Sequence, residues 1–203
     1  NFLLFYLPNH KTYLIYYYIM PIKTPICDFG QAAKSFELKS TNNEIIKLDD
    51  VKGENGTLIM FICNHCPYVK AVIKDIVEDC KNLEEIGVKS LAICSNDSIN
   101  YPEDSFDKMK EFSKDNNFSF PYLLDETQEV AKKYDAVCTP DFFGYNKNLE
   151  LQYRGRIRQL KNLIPVKNDE SDLFKAMKQI VETNKGPDQQ NSSMGCSIKW
   201  INN

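Results

Sequence analysis

The hydrophobic positions along the chain switch between two periodicities. Residues 57–62 form an apolar run, which is typical of a strand buried on both faces, and 88–94 are predicted to form a second buried strand. Between them, apolar residues recur every three or four positions from Pro67 to Glu85, which predicts an amphipathic helix. A buried strand therefore passes directly into a helix at residues 63–66, and a second buried strand follows.

Shorter patterns place further elements around this unit. An alternating segment over 35–48, broken by the turn residues Asn42 and Asn43, predicts an N-terminal β-hairpin extension. No internal repeat or Gly/Ser linker divides residues 32–186, so the helices must flank one central mixed β-sheet in a single α/β domain. The other predicted elements are helices over 105–114 and 172–184, a helix capped by Asp125 that ends at Tyr134, and strands over 121–124, 142–145 and 150–154.

Composition narrows the class of protein. A chain of 203 residues that is 42% hydrophobic can bury a full core, which excludes wholesale disorder. Its net charge of −3 includes no strongly basic stripe, so a nucleic-acid partner is not predicted. The seven cysteines are odd in number and irregularly spaced, which is unlike a secreted disulfide framework. We therefore expect a reducing, cytoplasmic location.

The two ends of the chain differ from its middle. Residues 1–19 hold seven of the 24 aromatic side chains and no acidic residue, and the run from Tyr13 to Met20 is too short to span a membrane. We interpret 1–19 as an extension outside the domain, read through from upstream of a start at Met20; an interfacial anchor is the alternative. The predicted domain is 20–186, and 187–203 is a polar tail that carries a Ser-Met-Gly-Cys-Ser-Ile-Lys-Trp motif.

The predicted strand-to-helix turn carries a pair of cysteines. Cys63 and Cys66 have the spacing at which two sulfurs can close a small ring, and Pro67 suits the first position of a helix. Cys66 would then be the N-cap residue, beside free amide donors and the positive end of the helix dipole. Such sites lower a thiol pKa from about 8.5 to roughly 3.5–7.5, which provides a nucleophile at neutral pH.

Two plainer explanations of the cysteine pair remain open. Structural zinc requires four ligands, but the chain has a single closely spaced pair and only two histidines, His10 and His65. Neither a metal nor an organic cofactor is predicted. The cysteines could also be inert buried residues, since cysteine is common in protein cores.

A Thr139-Pro140 bond precedes the strand predicted at 142–145. The order of elements resembles a thioredoxin fold with an insertion. In that fold a proline at this place is cis, and the backbone before it faces the redox sulfurs. The resemblance therefore implies that Thr139 and Pro140 belong to the site.

Five stretches are more specific, namely 61–69, 96–97 followed by 101–104, 120–128, 138–143 and 194–200. Together they resemble the peroxiredoxin-like branch of the alkyl hydroperoxide reductase/thiol-specific antioxidant (AhpC/TSA) group. The resemblance runs from about Pro21 to Trp200, and it implies a redox-active thiol on a thioredoxin-like fold. Where the family usually has Gly-Arg-Ile-Asp-Asp, this chain has Arg158 and Gln159 in place of the acids.

The residues help to choose a reaction. Peroxidases of this group usually carry Pro-x-x-x-Thr-x-x-Cys and a distant arginine, but Ile59 and Cys63 occupy the proline and threonine positions here. Arg154 and Arg156 could substitute for the arginine, although we expect them to be solvated. We therefore favour a thiol-disulfide oxidoreductase, reduced by a thioredoxin- or glutathione-type donor. The alternatives are a thiol peroxidase acting on hydrogen or alkyl peroxide, and a non-catalytic module that binds a metal or a protein.

Roles follow for the individual residues. We expect Cys66 to be the attacking thiolate and Cys63 its resolving partner, with His65 lowering the thiol pKa or moving a proton. Cys138 and Cys196 could instead resolve the disulfide. The cysteines expected to be structural are Cys27, Cys80 and Cys94.

Overall fold

A computed structural model describes residues 21–167 and 170–201. Strands and helices alternate through the middle of the chain in the predicted order. The helices are α1 Pro67–Glu85, α2 Phe106–Asp115, α3 Glu129–Lys133 and α4 Asp172–Thr183. The strands are β1 Ile22–Lys23, β2 Glu37–Ser40, β3 Ile45–Lys47, β4 Gly56–Phe61, β5 Val88–Cys94, β6 Tyr122–Leu124, β7 Cys138–Thr139, β8 Asp141–Asn146, β9 Leu151–Tyr153, β10 Leu160–Lys161, β11 Ile164–Pro165 and β12 Met194–Ser197.

The main sheet has seven strands in the order β3-β2-β6-β5-β4-β8-β9. β4 runs parallel to β5 and antiparallel to β8, so the sheet is mixed, as predicted. Every residue of β4 is buried because helices or loops cover both faces, which explains its unbroken apolar sequence. The β2–β3 hairpin extends one edge of this sheet through the pairing of β2 with β6.

One face of the sheet packs against α1 and α4. The inner side of α1 presents residues such as Val69, Ile76 and Leu83, whose side chains are completely buried. Burying each such side chain contributes about 1.5–3 kcal/mol. This packing fixes the start of α1 against the end of β4, where the paired cysteines lie.

The second, smaller sheet has the order β1-β12-β7, in which β1 and β12 come from the two ends of the described chain and β7 from its interior. The sequence analysis assigned 187–203 to a polar tail, but Met194–Ser197 forms the middle strand of this sheet. The short, small-residue pattern there gives little local signal for a strand, because its partners are distant in sequence. Strand β12 therefore packs beside β7, next to Pro140.

Some expectations concern segments that the structure does not describe. The predicted extension at 1–19 lies outside the described residues, as do positions 168–169 and 202–203. Among 21–167 and 170–201, no helix has the length and apolar character needed to cross a membrane.

Candidate redox site

The turn between β4 and α1 is held by polar side chains. The Tyr122 hydroxyl donates to Asn64 Oδ1 at 3.0 Å, and the Asn64 amide donates to Asp104 Oδ1 at 2.8 Å. Helix α1 begins at Pro67, and Cys66 is its N-cap residue with an extended backbone. These contacts orient the cysteine pair at the positive end of the helix.

Both sulfurs of the pair face Thr139. Cys63 Sγ lies 3.4 Å from Thr139 Oγ1, and Cys66 Sγ lies 3.0 Å from the Thr139 carbonyl oxygen. The peptide bond between Thr139 and Pro140 is cis. The structure thus brings together the CxxC segment and the Thr-Pro pair that the sequence analysis singled out. Cys66 has 0% of its surface exposed, so its sulfur is screened from solvent in this arrangement.

Several groups act on the protonation of Cys66. Hydrogen bonds from the thiols of Cys196 and Cys63 lower its pKa, and the backbone amide of Val69 adds to that effect, although burial opposes it. The Thr139 carbonyl oxygen is an acceptor, so it favours the protonated thiol. Because several donors converge on the sulfur against one acceptor, the balance lowers the pKa of Cys66 below that of a free cysteine.

The neighbouring thiols respond in the opposite direction. Burial and the hydrogen bond to Cys66 raise the pKa of Cys63. The hydrogen bond to Cys66, followed by burial, raises the pKa of Cys196. The three neighbouring thiols thus differ in acidity: the pKa of Cys66 is lowered, and those of Cys63 and Cys196 are raised.

His65 is oriented by a buried carboxylate. Its Nδ1 lies 2.6 Å from Asp104 Oδ2, and its ring stacks on Tyr101 with 5.8 Å between centroids. The Asp104 contact raises the pKa of His65 against the smaller effect of burial. Burial tends to raise the pKa of Asp104, but hydrogen bonds from His65 and Asn96 outweigh it and lower that pKa.

Asp104 is a site residue that the sequence reasoning did not assign. It follows the Asn96-containing segment in a stretch that resembles the family, yet nothing local connects it with His65, which is 39 positions away. Cys63, His65 and Asp104 also offer donor atoms within 4.8 Å of one another. His65 and Asp104 already use those atoms to bind each other, and three donors are fewer than structural zinc requires.

The remaining cysteines differ in their surroundings. The Cys138 thiol points to the Pro140 carbonyl oxygen at 3.6 Å, and burial raises its pKa. Burial also raises the pKa of Cys27 to about 11 and that of Cys80 and Cys94 to about 12. These thiols are therefore protonated at neutral pH.

The two arginines that were expected to be solvated form ion pairs instead. Arg154 is only 7% exposed, and its guanidinium pairs with Asp141 at 2.9 Å across adjacent strands. Arg156 Nε lies 2.6 Å from Asp172 of α4. The expectation of solvated arginines was wrong for Arg154, because Asp141 is a fully buried carboxylate that requires a cation.

A cavity of about 320 Å³ opens beside Pro140. Tyr68 of α1, Pro140 and Met194 of β12 line it, together with the guanidinium-bearing Arg156 and Arg158. The cavity provides space for a substrate next to the start of α1.

A central mixed sheet with this helix arrangement is the thioredoxin-like fold. The model of the AhpC/TSA family matches residues 29–160, and the chain belongs to that family. This confirms the family that the sequence motifs predicted.

Solved structures support the same assignment. An uncharacterized conserved protein from Geobacillus kaustophilus is 40% identical, with a TM-score of 0.85 over 90% of this chain and 97% of the other. A hypothetical protein from Sinorhizobium meliloti 1021 is 30% identical, with a TM-score of 0.81 over 88% and 97%. The thioredoxin domain of a thiol-disulfide oxidoreductase from Bacteroides vulgatus, at 12% identity and a TM-score of 0.58 over 75% and 97%, shares the fold alone. The search of curated proteins gave no match.

Proposed function

We propose that this chain is a thiol-disulfide oxidoreductase in which Cys66 attacks a disulfide and Cys63 resolves the product. The observation that carries the proposal is the place of Cys66 at the N-cap of α1, with the sulfurs of Cys63 and Cys66 both within 3.4 Å of Thr139. A sulfur with a lowered pKa is a thiolate at neutral pH, and thiolates are the species that attack disulfides.

The reaction proceeds in two exchanges. The Cys66 thiolate attacks one substrate sulfur, the substrate S–S bond breaks, and the other sulfur leaves as a thiolate. Cys63 then gives up its proton and attacks Cys66 Sγ, which releases the second substrate thiol and leaves a Cys63–Cys66 disulfide. A thioredoxin- or glutathione-type donor supplies the two electrons that restore the dithiol.

His65 supports the departure of the leaving group in this proposal. Its ring is partly exposed, and its raised pKa keeps a proton on the imidazole to a higher pH than in free histidine. A protonated imidazole beside the cysteines can donate to a departing thiolate. Asp104 acts through His65 and is therefore a positioning residue.

Disulfide and peroxide substrates can be separated experimentally. Wild-type protein and the variants Cys66→Ser and Cys80→Ser are compared for reduction of 2-hydroxyethyl disulfide and, by stopped flow, of hydrogen peroxide. We expect Cys66→Ser to fall to the uncatalysed rate of disulfide reduction, while Cys80→Ser, which alters a buried thiol on α1, stays close to wild type. Fast peroxide reduction that depends on Cys66, without disulfide reduction, would overturn the proposal in favour of a peroxidase.

The proposed cellular compartment follows from the same chemistry. All seven cysteines, which lie among the described residues, are free thiols. A site that must be returned to its dithiol form is consistent with a reducing compartment such as the cytoplasm. Cell fractionation with antibodies against the chain tests this part of the proposal.

A further inference from the structure

Strand β12 brings a third thiol to the reactive pair. Cys196 lies opposite Thr139 in the antiparallel register, and Ser197 lies opposite Cys138. Thr139 also contacts both sulfurs of the CxxC segment, so this register sets Cys196 against Cys66. The pKa values reflect this proximity, since the neighbouring thiols lower the pKa of Cys66 and raise that of Cys196.

The approach of β12 to β7 depends on a glycine. A Cβ atom at Gly195 would lie 2.1 Å from the Thr139 carbonyl oxygen, which no side chain could tolerate without a backbone shift. On one side of the strand, the Ser193 hydroxyl donates to the Pro140 carbonyl oxygen at 2.8 Å. On the other side, Ile198 is buried in the hydrophobic core. The backbone that carries Cys196 is thus held from both directions.

Cys138 is less suited to the same role. It belongs to β7, as Thr139 does, but its thiol points to the Pro140 carbonyl oxygen rather than into the pair. The two cysteines that sequence reasoning could not rank are therefore distinguished by the direction of their sulfurs.

We propose that Cys196 is a resolving cysteine for Cys66, delivered by β12. The inference rests on the proposed attack by Cys66 and adds a second route beside Cys63. After the first exchange, the Cys196 thiolate attacks Cys66 Sγ, and the bond from Cys66 to the substrate sulfur breaks. That sulfur leaves as a thiolate and takes up the proton that Cys196 lost. The substrate disulfide has then gained two electrons, and the chain holds a Cys66–Cys196 disulfide.

Peptide mapping after oxidation tests the inference. The full chain carrying Cys63→Ser is treated with 2-hydroxyethyl disulfide, quenched in acid, alkylated and cut with trypsin without reduction. Cleavage after lysine leaves Cys66 in peptide 53–70 and Cys196 in peptide 186–199. We expect a cross-link between these peptides in at least about ten times the amount of hydroxyethyl adduct on Cys66, since an adjacent thiol competes at very high effective concentration. Adding Cys138→Ser should leave the cross-link unchanged, and adding Cys196→Ser should abolish it.

The other outcomes separate the inference from the proposed function. Hydroxyethyl adduct on Cys66 without the cross-link would overturn the role of Cys196 and leave the attack by Cys66 intact. Neither adduct nor cross-link at Cys66 would overturn both. Gly195→Ala, which keeps every thiol but pushes β12 from β7, provides a second measurement. It should convert most of the cross-link into adduct, and an unchanged cross-link would contradict delivery by the strand.

Discussion

Replacing Asp104 by asparagine tests whether one buried carboxylate organises the turn that holds the cysteines. Its two oxygens accept four hydrogen bonds: from the backbone amides of Asn64 and His65, from His65 Nδ1 at 2.6 Å, and from Asn96 Nδ2 at 2.7 Å. An asparagine side chain keeps one acceptor oxygen, but its amide NH2 group would face the donors His65 Nδ1 and Asn96 Nδ2. The charge-assisted bond to His65 is then lost, and the Asn96 donor is left without an acceptor.

The size of the effect follows from those contacts. A hydrogen bond to a charged group contributes about 1.5–3 kcal/mol, and a buried donor left unsatisfied costs about 1–3 kcal/mol. We therefore expect Asp104→Asn to lower the free energy of unfolding by about 3–5 kcal/mol. In a domain of this size, each kcal/mol shifts Tm by roughly 2–4 °C, so Tm should fall by at least about 6 °C.

Urea unfolding followed by circular dichroism measures the loss, and the C2 proton of His65 in NMR spectra should report a fall in its pKa. Asp107→Asn is the matched control, because Asp107 lies in the first turn of α2 and its side chain is exposed where it pairs with Lys110. Its effect should stay within about 0.5 kcal/mol. A loss below about 1 kcal/mol for Asp104→Asn, with an unchanged His65 pKa, would refute this account of the site.

Two further predictions concern the ion pairs. Because the folded-state pKa of His65 is raised, its stabilisation is fully present below the unfolded value of about 6.5 and is lost as pH rises through the folded value. The difference in unfolding free energy between wild type and His65→Gln should therefore become smaller between about pH 6 and pH 9. The decrease is about 1.4 kcal/mol for each tenfold gain in the proton affinity of His65 on folding. A difference that does not change with pH would contradict the pairing with Asp104. Arg154→Met should cost about 3–5 kcal/mol, since it leaves the carboxylate of Asp141 buried without a cation, whereas Arg156→Met should cost about 1 kcal/mol or less. If thermal unfolding shows equal decreases in stability for these two variants, burial of the ion pair is not the cause of the decrease.

The sequence predicted the elements whose signals are local. Helix α1 has the predicted bounds, because its apolar spacing, Pro67 at its start and Gly87 just beyond its end are all read within one segment. The central strands β4 and β5 were likewise predicted from local signals, the apolar residues of 58–62 and those of 91–94. The CxxC segment could be placed at the strand-to-helix turn for the same reason.

Contacts between distant segments could not be predicted in this way. Asp104 reaches His65 across 39 positions, and neither residue has a neighbour that indicates the other. The place of Arg154 beside a predicted hairpin indicated a surface residue, but its guanidinium pairs with the buried carboxylate of Asp141 in the interior. Strand β12 was missed because its four residues gain their order from two partner strands rather than from their own pattern.

The place of β12 between β1 and β7 makes the candidate redox site sensitive to changes near both ends of the described chain. Ile22 and Lys23 pair with the strand that carries Cys196, so one edge of the same small sheet belongs to the first described residues. A purification tag joined close to Ile22, or just after Trp200, would displace the small sheet that carries Cys196 rather than a remote surface. Thiol reactivity measured on tagged protein would therefore report the tag together with the chemistry of the cysteines.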